Sequence, residues 1–204
     1  WRPKNVTAHF LGPMRVRRAL EQSRNLISIR LLSMIGIPYA RDYLEAYGFN
    51  KSKQPHSLSL ALGAGTASPL EIASSYAQLA RLGRPIAPYL IERIENQKNQ
   101  VLLQGPTFFP LQEHPMDSSD PEKNSKENTR ITEESSYLIH KVLQNIIWKG
   151  TARRLASMGR HDIAGKTGTT NDQQDTWFAG YSPNYVATVW VGFDQNNSTH
   201  EFGS

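Results

Sequence analysis

The chain has 204 residues, a formal charge of +5 and no cysteine. That is enough for one sizeable core, or one domain with appendages, and it excludes a disulfide framework, a Cys-ligated metal and a thiol nucleophile. No apolar run approaches the ~18 residues of a membrane-spanning helix, and the basic residues are dispersed except for Arg15, Arg17, Arg18 and Arg24 in one stretch; without a binding motif beside them, no nucleic-acid partner is expected.

The opening Trp1-Arg2-Pro3-Lys4-Asn5 carries no signal-peptide pattern. Together with the abrupt Glu201-Phe202-Gly203-Ser204 end, it reads as part of something longer. Apolar positions Met14, Leu20, Ile27, Leu31, Leu32 and Ile35 recur at helical spacing. They predict a helix, a short loop at Ser23-Arg24-Asn25, and a second helix stopping at Gly36. Another helix is expected from Tyr39 to Tyr47, closed by Gly48. Ala61-Leu62-Gly63-Ala64-Gly65 suits a tightly packed turn. Ser68-Pro69-Leu70-Glu71 reads as a capping box with proline in the first turn. The helix that follows is expected to bury Ile72, Ala73, Tyr76, Leu79 and Ala80, and to end at Gly83. The helical region therefore covers about 1–83.

Residues 86–104 predict a hairpin, with 89–94 pairing with 101–103 across a polar turn at Lys98-Asn99. Residues 105–130 are rich in Pro, Ser, Asp, Glu and Lys and read as a flexible insertion. Thr132 caps a helix with Glu133 and Glu134 in its first turn. Its apolar face is Leu138, Ile139, Val142, Leu143, Ile146 and Ile147, and Lys149-Gly150 closes it. A short helix from Ala152 to Met158 follows, and then strands at 161–170, 175–181 and 185–193. Helices first and antiparallel strands last predict an α+β fold, not a doubly wound βαβ sheet.

Lys166-Thr167-Gly168-Thr169-Thr170 is the most informative stretch. On an exposed strand it can bind an extended peptide by strand addition. Gly168 lets another backbone approach, Lys166 supplies positive charge, and the Thr167 and Thr169 hydroxyls can donate to a terminal carboxylate. The bland alternative is an edge strand guarded by a lysine. Ser23-Arg24-Asn25 is the second candidate, though Ser182-Pro183-Asn184 matches the same short pattern. Trp177, Tyr181 and Trp190 read as core and sheet packing. Arg15, Arg17 and Arg18 read as a solvated face. None of the six histidines has metal-ligand spacing, and no metal or cofactor is expected.

Ser23-x-Asn25 and Lys166-Thr167-Gly168-Thr169 resemble the second and third motifs of the penicillin-binding protein and serine β-lactamase superfamily. The flanks Trp1 to Asn5, Arg18 to Gln22, Leu60 to Gly63, Ser68 to Tyr76, Gly150-Thr151-Ala152 and Trp177 to Tyr181 narrow the resemblance. The chain is similar to the transpeptidase domain of bifunctional, class A penicillin-binding proteins of the 1A type, over nearly its whole length except 105–130. The family's middle motif lies in a helical region, which selects Ser23 over Ser182. The resemblance implies peptidoglycan cross-linking: a serine attacks D-Ala-D-Ala of a stem peptide, an amine of a neighbouring stem resolves the acyl-enzyme, and β-lactams trap it. It implies that Ser23 relays a proton to the leaving amine, that Asn25 holds substrate amide and catalytic lysine, and that Lys166 orients Ser23. It further implies that Thr167 and Thr169 bind the terminal carboxylate, with the Thr169 N–H in the oxyanion hole.

One departure stands out. No serine here has lysine three residues later, so the Ser-x-x-Lys motif that carries the family's nucleophile is absent from the sequence. The expectation is a partial transpeptidase domain over 1–204, inactive alone. It would be completed by an upstream segment with that motif, and farther back by a glycosyltransferase domain and membrane anchor on the periplasmic side of the inner membrane. The alternatives are a serine β-lactamase-like hydrolase or a non-catalytic module that binds peptidoglycan or a partner.

Overall fold

The computed structural model describes residues 3–5, 11–105, 131–195, 197–201 and 203. They fall into two compact units, Trp1–Pro85 with Thr129–Ser204, and Ile86–Asn128. The second unit contains a hairpin of β1 (Arg93–Glu95) and β2 (Val101–Gln104). The pair is antiparallel, with an irregular register between Ile94 and Glu95. It is shorter than expected: pairing begins at Arg93 rather than Tyr89. The insertion predicted at 105–130 lies, beyond Gly105, outside the described residues.

In the first unit, α1 (Val16–Glu21) and α2 (Asn25–Ile35) are separated by a break at the expected position. α3 (Ile37–Ala46) carries proline in its first turn. α4 (Pro69–Ala80) begins at the predicted capping box: the Glu71 N–H donates to Ser68 Oγ at 3.2 Å, and the Ser68 N–H donates to Glu71 Oε2 at 2.7 Å. Those donors hold the Glu71 carboxyl below its ordinary range. The expected apolar stripe of α4 is only half-buried. Its fully buried positions are Ser75 and Gln78, tolerated because their polar ends bond the Ile72 and Gly83 carbonyls.

α5 (Glu133–Lys149) starts at Thr132, whose hydroxyl accepts from the Ser135 N–H. Its buried stripe is narrower than predicted. Val142, Leu143, Ile146 and Ile147 are enclosed, whereas Leu138 is 64% exposed. The short helix expected after it is a 3₁₀ helix, Arg153–Met158, ending at Gly159.

Strands β3 (Ala164–Thr169), β4 (Asp175–Tyr181) and β5 (Val186–Gly192) form an antiparallel sheet in that order. Side chains alternate between its faces, and on the inner face Tyr181 meets Tyr76 of α4 edge-on and bonds His140 of α5 at 3.0 Å. Leu143, Ile146, Ile147, Ala152, Ala164 and Tyr181 make the core. The architecture is α+β, an antiparallel sheet packed against helices. On the other face Val189 and Val191 are exposed. Trp190 is not core either: it is 40% exposed and its indole donates to Asp175 Oδ1 at 2.9 Å.

Between α3 and α4 the chain is fastened by an arginine that sequence inspection passes over. Arg41 is buried and donates to the carbonyls of Gln54 (3.1 Å) and Lys51 (2.7 Å), with His56 Nδ1 at 3.1 Å. This holds the 51–66 loop beside the sheet.

Candidate active site

α1 ends in a Schellman turn: the Ser23 N–H donates to the Leu20 carbonyl and the Arg24 N–H to the Ala19 carbonyl. The pattern needs a left-handed residue at its centre, and Ser23 takes that place at φ 50°. Glycine is the ordinary occupant, and a side chain there costs on the order of 1 kcal/mol. The strain therefore sits at the residue whose hydroxyl meets the third motif.

Across from it, β3 is an edge strand whose sole neighbour among the described residues is β4. Lys166 pairs with Ala179, Gly168 with Trp177, and Thr169 with Thr176. The Thr170 N–H donates to the Asp175 carbonyl. Backbone N–H groups alternate in direction along a strand, so those of Thr169 and Thr167 point to the open edge. Lys166 Nζ donates to Ser23 Oγ and, at 2.6 Å, to the Thr167 carbonyl. Burial, with no carboxylate paired to it among the described residues, lowers the Lys166 pKa from its ordinary value to about 8. Gly168 also sits close to its neighbour: a Cβ there would stand 3.2 Å from Trp177 Cβ, near enough that Trp177 would have to yield by a few tenths of an ångström.

Asn25, the first residue of α2, donates its Nδ2 to the Lys4 carbonyl at 2.9 Å, while Asn5 Oδ1 accepts from the Leu26 N–H at 3.2 Å. These contacts pin the turn that presents Ser23; Trp1 and Arg2 of the same sequence flank lie outside the described residues.

Ser23, Asn25, Thr167 and Thr169 line one open cavity of about 970 Å³. Ser182, the other S-x-N serine, is not among its walls. Several of the walls were given no site role from the sequence: Lys149, Asp172, Gln173, Ser198 and His200, and Thr151, which entered only as part of a flank of the family resemblance. Asp172 and Gln173 both have positive φ. Thr151 Oγ1 lies 2.6 Å from Thr167 Oγ1, and the Gly203 N–H donates to Thr169 Oγ1 at 3.1 Å. Lys166 and Gly168 also border a smaller cleft, about 290 Å³, walled by Leu44, Phe49, Leu60, Ile72 and Tyr76. Among the described residues no cluster of His, Asp and Glu is placed to hold a metal ion. The groove offers a cation donating to a hydroxyl, two further hydroxyls, and an open strand edge.

The model of the penicillin-binding protein transpeptidase domain family matches residues 1–204. Penicillin-binding protein 1A of Pseudomonas aeruginosa is 41% identical over 96% of this chain and 28% of its own length. That of Neisseria flavescens is 39% identical over 100% of the chain and 24% of its length. The chain therefore spans about a quarter of the curated relatives it matches. Among solved structures, penicillin-binding protein 1A from Haemophilus influenzae superimposes with a TM-score of 0.83 at 33% identity, covering 100% of this chain and 34% of that one. Penicillin-binding protein PonA1 from Mycobacterium tuberculosis shares the fold, with a TM-score of 0.72 at 22% identity over 98% of this chain and 55% of its own. A motif pair joined by a lysine–serine contact and a family match over every residue lead to one assignment: this chain belongs to the penicillin-binding protein transpeptidase domain family.

Proposed function

We propose that this chain forms the second- and third-motif walls of a peptidoglycan D,D-transpeptidase site that β-lactams acylate. The observation that carries this reading is the Lys166–Ser23 contact at the wall of a groove that Asn25, Thr167 and Thr169 share. Because the ammonium donates to Ser23 Oγ, the serine's own proton is left to point into the groove. There it serves the leaving D-alanine amine when the peptide C–N bond breaks. Lys166 keeps that relay charged, and with a pKa near 8 it remains mostly protonated at neutral pH. The Thr167 and Thr169 hydroxyls receive the terminal carboxylate. The open edge of β3 receives the peptide backbone, and the outward N–H of Thr169 faces the developing oxyanion.

The attacking serine comes from outside this sequence, since no Ser-x-x-Lys occurs in it. The apolar cleft beside Lys166 and Gly168 is where a segment bearing that serine reaches the cation. The full-length protein is placed on the periplasmic side of the inner membrane, with a glycosyltransferase domain and an anchor elsewhere. Among the described residues no helix is long and apolar enough to cross a membrane.

The test is labelling with a fluorescent penicillin followed by intact mass. The full-length protein is expected to gain one acyl adduct, and the 204-residue chain alone none. A stoichiometric adduct on the isolated chain overturns its dependence on an outside nucleophile. Rapid turnover of a chromogenic cephalosporin by the full-length protein favours a β-lactamase-like hydrolase. No adduct on the full-length protein favours a non-catalytic binding module.

A further inference from the structure

Among the described residues, Thr151 is the groove side chain that bonds a third-motif hydroxyl through its own hydroxyl. Its Oγ1 lies 2.6 Å from Thr167 Oγ1, and both residues line the cavity. Its place is fixed from both sides. Before it, Gly150 packs so close to α1 that a Cβ there would stand 2.4 Å from the Glu21 carbonyl oxygen. After it, Ala152 is buried in the core and its N–H reaches the Ile146 carbonyl. The residue thus bridges the turn that carries Ser23 and the strand that carries Lys166, with little freedom to turn away.

We infer that Thr151 is a positioning residue that sets the direction of the Thr167 hydroxyl, so that a proton rather than a lone pair faces the anionic end of the ligand. A threonine hydroxyl has one proton and two acceptor sites. If Thr167 donated to Thr151 with no onward bond, it would turn lone pairs toward a carboxylate. When Thr151 donates to Thr167, the Thr167 proton is free for the ligand, and two hydroxyls in series polarise each other. Thr167 is 9% exposed, so water does not readily take over Thr151's part. The inference rests on the reading of Thr167 as a carboxylate donor and adds a residue to it.

The experiment compares benzylpenicillin with its neutral methyl ester as acylating agents of the full-length protein, following adduct mass against time. Thr151→Val keeps the shape and removes the hydroxyl; Thr151→Ser keeps the hydroxyl. The valine variant is expected to react roughly tenfold more slowly with the acid, the effect of one hydrogen bond to a charged group. Its rate with the ester is expected to match that of the unsubstituted protein, and serine is expected to restore the acid rate. An unchanged acid rate in the valine variant overturns the inference. So does an equal slowing with acid and ester, which marks Thr151 as a structural fastening only, and so does failure of serine to restore the acid rate. Absence of any adduct on the unsubstituted protein overturns the reading of the site together with this inference, whereas an adduct with any of the three results above overturns the inference alone.

Discussion

Two serines sit at helix ends in this molecule, and they follow opposite rules. Ser68 opens α4 in an extended conformation, exchanges hydrogen bonds with Glu71 and is followed by proline at the first helical position. Each local preference agrees with the next. Ser23 closes α1 in a turn that wants glycine, adopts φ 50°, and takes a hydrogen bond from Lys166, 143 residues away in sequence. One end is built for stability. The other gives up stability to place a hydroxyl on a groove wall.

The contrast can be broken first at the groove. Ser23→Ala and Lys166→Ala are each expected to slow penicillin acylation of the full-length protein by about 10²- to 10⁴-fold, the range for a lost proton relay. An effect under tenfold for both removes the relay from the reading. Next, Lys166→Met is expected to raise stability at neutral pH while abolishing acylation. Burial lowers the lysine pKa from 10.5 to about 8, a penalty on the charged form of about 3 kcal/mol, offset by about 1 kcal/mol for hydrogen bonds lost at Ser23 and Thr167. The folded pKa is below the unfolded one, so the unfolded chain holds more protons between pH 8 and 10.5. The penalty is full below pH 8 and fades as pH rises through that window. Urea midpoints at pH 7 and pH 10 should therefore separate the variant from the parent at the lower pH and bring them together at the higher.

A smaller pair of changes sharpens the contrast directly. Ser23→Gly is expected to stabilise by about 1 kcal/mol by relieving the left-handed turn, and still to lose acylation. Ser68→Ala is expected to destabilise by about 1 kcal/mol through its lost cap and to leave the acylation rate unchanged. Thermal midpoints and labelling rates on the two variants decide it; a Ser23→Gly protein that is less stable would mean the turn is not strained. The mildest effect is the pH profile of the unsubstituted protein, whose acylation should decline above about pH 8 as Lys166 loses its proton.

What sequence could foresee follows the same division. The α4 cap, the Thr132 cap and the strand ladder around Lys166 rest on interactions between near neighbours, and residue order alone displays them. The third-motif lysine and the S-x-N serine were legible as motifs; that they meet was implied by the family resemblance alone, because residue order does not display how α1 and β3 are packed. Lys149, Asp172, Gln173 and His200 reach the groove only through chain reversals, and their residue types announce nothing; Thr151 showed as part of a family flank, not as a wall of the groove. Burial was over-read where apolar pattern met a limited sheet. Leu138 has the periodicity of a core residue, yet the stripe on α5 encloses only Val142 through Ile147. Arg41 shows the converse: nothing in the sequence marks it, and three polar partners let a charged residue lie inside.

Gly150 carries a consequence for how wide the groove can be. The gap between the Ser23 turn and the threonine wall is spanned there by bare backbone, with the Glu21 carbonyl oxygen 2.4 Å from where a methyl group would begin. The aperture is thus governed by an omission. A single added carbon would have to displace the Glu21 carbonyl or the backbone of Ile146, shifting the Ser23 turn against the threonine wall without altering any donor or acceptor.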